Sequence, residues 1–144
     1  MTQEVNIFCD GGSRGNPGPA ASAFVVLDGS DKPIAKHGKY LGITTNNQAE
    51  YHAVLMAFHF LRKYIEEHPL KEVNFFLDSE LVTYQLQGKF RIKNKNLLPI
   101  ATKIKEIERL LLVTVRYIAI PRSKNKMADA LVNYVLDQKV KKNR

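Results

Sequence analysis

The chain begins with three strand-like segments in a row and then changes to helical spacing near residue 45. In "EVNIFCD", Val5, Ile7 and Cys9 alternate with other residues, so they lie on one face of a strand while Asp10 lies on the other. The stretch "SAFVVLDGSDKPIAKHGKYLG" predicts two more strands joined by an Asp/Gly/Ser turn. Residues 3–42 therefore predict three antiparallel strands.

The rest of the chain alternates between helical and strand patterns. The segment "TTNNQAEYHAVLMAFHFLRKYIEEH" predicts a long helix, with Thr45 or Asn46 as its N-cap and Pro69 beyond its end. The later segments predict, in order, a buried strand at "EVNFFLD", a short helix at "SELVTYQLQ" that Gly88 ends, helical spacing from Leu97 to Leu111, a strand at "LVTVRYIAI" that Pro121 ends, and a helix from about Lys124 to about Val140. The order βββαβα(α)βα favours an α/β fold, with a five-stranded mixed sheet of three antiparallel and two parallel strands flanked by helices.

Composition narrows the class of protein. With 144 residues, of which 44% are hydrophobic and 25% charged, the chain predicts a globular domain over residues 1–140 and a short basic tail at 141–144. No apolar run approaches the roughly 18–20 residues that a membrane span needs, and the N-terminus lacks the pattern of a signal peptide. A single cysteine, Cys9, excludes an internal disulfide and a cysteine-based zinc site, and suits the cytoplasm.

Positive charge is concentrated in the second half of the chain. Residues 1–85 carry 7 Lys and Arg against 10 Asp and Glu, a net charge of −3, whereas residues 86–144 carry 15 against 4, a net charge of +11. A basic half favours a polyanion such as nucleic acid as the partner. On charge alone, a solubilising surface with a basic tail at "QKVKKNR" explains the same asymmetry equally well.

Four acidic residues stand at positions that suggest a site. Asp10 and Asp78 come at the ends of two predicted strands, where sites gather in α/β sheets. Glu50 and Asp129 each begin an apolar stripe of a predicted helix, which continues at Val54, Ala57 and Leu61 in the first helix and at Val132, Leu136 and Val140 in the last. Acids on a buried stripe are costly unless a positive charge compensates them.

Each acid has an ordinary explanation when it is taken alone. Asp10 suits a turn, Asp78 suits a helix cap, and Glu50 and Asp129 suit solvated positions at the edge of a stripe. A shared divalent-metal site explains all four together, because Mg²⁺ prefers oxygen ligands. Two such ions about 4 Å apart can activate water and stabilise the leaving oxygen of a phosphodiester. The histidines at positions 37, 52, 59 and 68 show no ligand pattern, so zinc is not indicated.

Four motifs, in the right order, resemble those of the type 1 ribonuclease H family, and the resemblance covers nearly the whole chain. "DGGSRGNPGPA" is similar to the family's first-strand motif, "TTNNQAEYHAVLMA" to its first-helix motif, "LDSELVTYQLQG" to its fourth-strand motif and "PRSKNKMADALVN" to its last-helix motif. Each motif contains one of the four acids. The resemblance implies a ribonuclease H-like fold and hydrolysis of the RNA strand of an RNA–DNA hybrid. It also implies two Mg²⁺ ions, for which Mn²⁺ often substitutes, and products with 5′-phosphate and 3′-hydroxyl ends.

The resemblance implies roles for individual residues as well. Asp10, Glu50, Asp78 and Asp129 correspond to the catalytic acids that hold the metal, with Asp10 bridging both ions and Glu50 also near a 2′-hydroxyl of the RNA. The substrate-binding residues that it implies are Gly11, Gly12 and Ser13 beside the RNA backbone, Asn16, Asn46 and Asn47 in the minor groove, and Thr45 at a phosphate of the DNA strand. Amide side chains suit this task because they both donate and accept hydrogen bonds. Cys9 should face away from the site and take no part.

Two departures from the family pattern affect single residues. Glu80 stands where a Gln that contacts the hybrid is common, and a carboxylate there should repel a polyanion. The loop "IAIPRSKNK" lacks the His that many members use in product release, as in an archaeal-type subset of the family. Arg122 is the candidate for that role, and a solvated Arg without a role is the alternative.

A third departure concerns the basic protrusion of the family, which is abbreviated here to "QGKFRIKNKN". Lys89, Arg91, Lys93 and Lys95 alternate along it, so they face one side if the segment is extended and are then available to phosphates. Lys93 has the most family-like spacing and is the predicted substrate contact.

Three other functions are compatible with these motifs. A nucleic-acid-binding module without activity is disfavoured, since four clustered acids facing a polyanion would weaken binding. A nuclease acting on DNA or on double-stranded RNA could share the fold, although the Asn pair after Thr45 favours recognition of ribose. A fragment of a reverse transcriptase polyprotein is the third, and the Met start favours a free-standing protein instead. The predicted protein is a cytoplasmic monomer without an obligatory protein partner.

Overall fold

A computed structural model of the chain describes residues 3–142. The elements are β1 (Glu4–Ser13), β2 (Gly18–Asp28), β3 (Pro33–Thr44), α1 (Asn46–Glu67), β4 (Glu72–Leu77), α2 (Glu80–Leu86), α3 (Leu98–Leu111), β5 (Thr114–Ala119), a 3-10 turn (Arg122–Lys124) and α4 (Lys126–Lys142). The predicted order is confirmed. The last helix continues to Lys142 rather than ending near Val140, so the predicted tail at 141–144 is partly helical, and its last two residues lie outside the described part of the chain.

The five strands form one mixed sheet in the order β3-β2-β1-β4-β5. The pairs β1–β2 and β2–β3 are antiparallel, and the pairs β1–β4 and β4–β5 are parallel. This arrangement confirms the predicted sheet of three antiparallel and two parallel strands. Strand β1 is central, with an antiparallel neighbour on one side and a parallel neighbour on the other.

The prediction that the first strand ends at Asp10 is wrong. Strand β1 continues along β2 as far as Ser13, which lies opposite Ala20. Its pairing with β4, however, ends where Phe8 lies opposite Phe76. Asp10 therefore lies in the last part of β1, which is paired with β2 but no longer with β4. Other elements can reach Asp10 on this unpaired side of the strand.

The two faces of the sheet carry different helices. Alternate residues of β1, including Val5, Ile7 and Cys9, belong to the main core with the buried face of α1. On the opposite face, Ala21 and Ala23 of β2 pack against Val132 and Leu136 of α4, in a smaller cluster. Cys9 thus faces the core, as predicted.

The apolar stripe of α4 is shorter than the sequence predicts. It contacts β2 only through residues as far as Leu136, and Val140, one turn further on, is 45% exposed. Among the described helices, none combines the length and apolar character needed to cross a bilayer.

Candidate active site

The four predicted acids line one cavity of about 430 Å³ at the end of the sheet. Asp10 comes from β1, Asp78 directly follows β4, Glu50 lies near the start of α1, and Asp129 lies in the first turn of α4. The other residues that line the cavity are Gly11, Gly12, Ser13, Arg14, Asn46, Asn47, Arg122, Val132, Asn133 and Leu136. Helices α1 and α4 cover opposite faces of the sheet. Their carboxylates meet at this end of the sheet, beside the part of β1 that pairs with β2 alone.

A close approach between β1 and α1 places Asp10 beside Glu50. A Cβ atom on Gly11 would lie 2.2 Å from the carbonyl carbon of Ala49, so only glycine fits at this crossing. The crossing is fixed by Ser22, whose buried hydroxyl donates to the carbonyl oxygen of Ala49 at 2.5 Å. Gly11 therefore acts through backbone packing, which is the physical basis for the small residues after Asp10.

The electrostatic state of Asp10 shows that negative charge in the cavity is poorly compensated. Burial raises the pKa of Asp10 to about 7, and the negative charges of Asp78 and Asp129 add to this rise. The carboxyl of Asp129 also hydrogen-bonds to that of Asp10, which raises the pKa further, and only the backbone N–H of Gly11 opposes it.

Glu50 has the same character. Burial raises its pKa to about 8, and the charges of Asp78 and Asp10 act in the same direction. A hydrogen bond with the Ser79 side chain and the positive charge of Arg122 oppose the rise. Arg122 is exposed on the 3-10 turn before α4 and lines the cavity, so the structure brings it to the predicted place.

The donor set of the cavity fits a hard divalent cation. Its ligating side chains are carboxylates, and neither His nor Cys lines it, which suits Mg²⁺ or Mn²⁺ rather than zinc. Within residues 3–142, no three His, Cys, Asp or Glu side chains are arranged to hold a metal ion by themselves. Mg²⁺ usually binds one or two carboxylates and takes its other ligands from water and substrate phosphates.

Two asparagines beside the cavity have their oxygen atoms already engaged. The backbone N–H of Ser13 donates to Oδ1 of Asn46 at 2.8 Å, and the backbone N–H of Asn46 donates to Oδ1 of Asn16 at 3.0 Å. Backbone N–H groups can only donate, so these bonds fix the orientation of both amides. The –NH₂ groups of Asn16 and Asn46 therefore remain as the hydrogen-bond donors of this surface.

The remaining predicted contacts lie around the cavity rather than in it. Thr45 caps α1 with its hydroxyl, which accepts from the backbone N–H of Gln48. Glu80 is exposed in the first turn of α2, and Lys93 is exposed in the segment between α2 and α3. Of the residues that the sequence proposed for substrate binding, Asn16, Thr45, Glu80 and Lys93 do not line the cavity.

Several residues at the site were not predicted from the sequence. Asn125, which is 1% exposed, donates from its side chain to the carbonyl oxygen of Cys9 in β1 and to the carboxylate of Asp78 after β4. Ser79 hydrogen-bonds to Glu50, and Asn133 lines the cavity. Asn125 precedes Asp129 by four residues at the start of a predicted helix, and this position was the only signal that could have identified it.

Comparison with known proteins agrees with this geometry. The family described as reverse transcriptase-like matches residues 8–135. Ribonuclease HI of Halobacterium salinarum is 34% identical over 137 residues, which cover 92% of this chain. The crystal structure of LC11-RNase H1 in complex with an RNA/DNA hybrid superposes with a TM-score of 0.90 at 36% identity, and the match covers 94% of this chain and 99% of that chain.

A third similar protein is the bifunctional protein of Mycobacterium tuberculosis, which is 32% identical over 135 residues. The solved structure of its N-terminal RNase H domain has a TM-score of 0.89 at 30% identity, covering 99% of this chain and 100% of that chain. This chain spans 64% of the length of the Halobacterium protein and 36% of the length of the mycobacterial one. Together with the four acidic motifs and their convergence, these similarities show that the chain belongs to the type 1 ribonuclease H family.

Proposed function

We propose that this chain is a metal-dependent endoribonuclease that hydrolyses the RNA strand of RNA–DNA hybrids, leaving 5′-phosphate and 3′-hydroxyl ends. One observation carries the proposal: four carboxylates from segments as distant as residues 10 and 129 line one cavity. Burial and mutual repulsion raise the pKa of Asp10 to about 7 and that of Glu50 to about 8. A protein gains nothing from such a cluster unless a cation neutralises it.

The four acids, Asp10 among them, would hold two Mg²⁺ ions, with Mn²⁺ as a substitute. Bound ions would activate the attacking water and stabilise the charge on the leaving 3′ oxygen. The carboxyls of Asp10 and Glu50 would have to lose their protons to act as ligands, so metal binding would compete with protonation. Asn125 holds the Asp78 carboxylate in place through its hydrogen bond.

Recognition of the hybrid is assigned to the surface beside the cavity. Gly12, which has no side chain, and Ser13, whose side chain is small, lie next to the acids, where an RNA backbone can approach. Gly11 sets the position of the strand that carries them. The free –NH₂ groups of Asn16 and Asn46 suit the acceptors of a minor groove, including base edges and ribose hydroxyls.

Further contacts extend this surface on both sides. Asn47 lies in the cavity wall. Thr45 caps α1 and would contact a phosphate of the DNA strand. Lys93 supplies positive charge from the segment between α2 and α3, where Ile92 packs on the core and its neighbours on either side are exposed. Arg122, at the mouth of the site, is the candidate for product release.

The experiment that tests this function compares labelled RNA–DNA, RNA–RNA and DNA–DNA duplexes of one sequence, with and without Mg²⁺. The proposal predicts cleavage of the hybrid only, within its RNA strand, and only with the metal. Cleavage of double-stranded RNA or of DNA at a comparable rate would instead support a nuclease of the same fold with another substrate. We also propose a monomer in the cytoplasm, as the sequence predicts.

A further inference from the structure

A second groove, of about 490 Å³, lies between the edge strand β3 and helix α1, and it shares no lining residue with the candidate active site. Exposed lysines form its rim: Lys39 on β3 and Lys63 on α1. His37 and His59 complete the rim, and no acidic residue lines the groove. Neither lysine forms an ion pair with a described residue. The groove is thus cationic, although the half of the sequence that forms it has a net charge of −3.

The floor of this groove is apolar and aromatic. Phe24 is buried beneath it, Phe60 and Met56 are half-buried, and the rings of Phe24 and Phe60 lie 5.8 Å apart. The ring of His37 lies 6.1 Å from that of Phe24 and is exposed. A cationic rim over an aromatic floor is the combination that proteins use for single-stranded nucleic acid, whose bases are free to stack. A duplex keeps its base faces stacked inside, so it could use the rim alone.

The groove begins near the active site and leads away from it. In the sheet, Lys39 lies opposite Ser22, and Ser22 lies opposite Gly11, so Lys39 is two strands, about 10 Å, from that glycine. Along α1, the thirteen residue steps from Glu50 to Lys63 span about 20 Å. A nucleic-acid strand that leaves the site beside β3 would therefore meet Lys39 first and Lys63 further on.

From this placement we infer that the groove binds a single nucleic-acid strand, DNA or RNA, that continues beyond the hybrid held at the active site. The inference rests on the proposed function, because it takes the hybrid as the anchored substrate. Its own support is charge complementarity with phosphates on the rim, an apolar floor that bases can contact, and the short path from Gly11 to Lys39.

The test measures binding of the full chain, by fluorescence anisotropy without divalent metal, to a short blunt hybrid and to the same hybrid with a DNA or an RNA overhang. The overhang should tighten binding and steepen the dependence of log K on log salt by about 0.7 for each phosphate contact. In the double variant K39E/K63E this gain should be lost. The matched control K71E/R109E changes two exposed residues outside the groove by the same charge, and it should keep the gain.

The outcomes separate the inference from the proposed function. An overhang that adds no affinity in the wild type would overturn the inference, and so would equal losses with blunt and extended hybrids in K39E/K63E relative to the control. The arm with DNA and the arm with RNA show which strand the groove takes. Mg²⁺-dependent cleavage of the blunt hybrid tests the proposed function alone, since that substrate has no overhang to place in the groove.

Discussion

Asn125 donates a hydrogen bond from its side-chain amide to the carboxylate of Asp78 at a distance of 3.0 Å. The same nitrogen donates at 2.9 Å to the carbonyl oxygen of Cys9, the residue before Asp10. Its own Oδ1 atom is buried without a hydrogen-bond partner, so the amide is held there by its two donor contacts. Asn125 thus joins β1 and the end of β4 to the start of α4, the three places that carry Asp10, Asp78 and Asp129.

Replacement of this amide should lower both stability and activity. We expect Asn125→Ala to reduce the free energy of unfolding by about 1–3 kcal/mol, because buried acceptors lose their donor. We expect cleavage to fall about 10–100-fold, because Asp78 loses the group that orients it. The matched control is Asn74→Ala, which removes a similar bond between Asn74 and Asn6 in the same pair of strands, away from the cavity. Equal activity of the two variants would contradict the positioning role.

The raised pKa values predict that the acids destabilise the metal-free fold as pH rises. Between about pH 4 and pH 8 the folded protein binds more protons at Asp10 and Glu50 than the unfolded chain does, so the free energy of unfolding falls with rising pH. This contribution is of the order of a few kcal/mol. Urea denaturation with a chelator, at about pH 5 and about pH 8.5, should show a smaller fall for Asp10→Asn than for the wild type.

Added Mg²⁺ should restore stability to the wild type at the higher pH, where the carboxylates are free to bind it. His52 and His59 act in the opposite direction, because burial lowers the pKa of each. Both proteins contain these histidines, so subtracting the pH dependence of Asp10→Asn from that of the wild type removes the contribution of His52 and His59. A pH dependence that is identical in the two proteins would contradict the assignment.

Because the side-chain oxygen of Asn46 already accepts hydrogen bonds from Ser13, Asp and Ala at this position should differ in their effect on stability. Asn46→Asp keeps the acceptor for Ser13 and loses the two outward donors, whereas Asn46→Ala loses both. We expect Asn46→Asp to unfold near the wild-type temperature and Asn46→Ala at a lower one. Both should bind the hybrid about tenfold more weakly at high salt, in line with the loss of a hydrogen bond or two, and the negative charge of Asn46→Asp should weaken its binding further at low salt. Full affinity in Asn46→Asp would show that the donors are not used.

Glu80 is the departure from the family pattern that a substitution can test most simply. The residue is exposed in the first turn of α2, where its charge favours the helix dipole. Glu80→Gln should therefore cost a few tenths of a kcal/mol of stability and raise hybrid affinity severalfold at low salt. Affinity measured at low and at high salt separates repulsion from a specific contact, since only the repulsion is screened.

The sequence predicted the order of elements because each helix and strand has a clear period and a recognisable end. Thr45, one of the two predicted N-caps, caps α1. Glu50 and Asp129, the acids on the apolar stripes, line the cavity. The end of β1 was predicted wrongly, since two glycines after Asp10 indicate a turn, while here they continue the pairing with β2. The residues of a strand do not show whether it pairs with a neighbour on one side or on both.

The groove beside β3 and the role of Asn125 could not be predicted for a related reason. The groove is formed by lysines from two elements that the sheet brings together, and the net charge of that half of the sequence is negative. Asn125 bonds across 116 and 47 residues of sequence, and such long-range pairing leaves no local pattern. What the sequence did supply was the set of four acids, since each has a position that is costly without a shared partner.

The most direct test of the account is the rate of RNA cleavage in a hybrid as Mg²⁺ is titrated, for the wild type and for Asp10→Asn, with hybrid binding measured in parallel. The account predicts that the wild type cleaves only when the metal is present, and that Asp10→Asn binds the hybrid but cleaves it at least about a hundredfold more slowly. Cleavage that persists in chelator, or an Asp10→Asn variant with wild-type activity, would contradict the claim that the four carboxylates form the catalytic metal site.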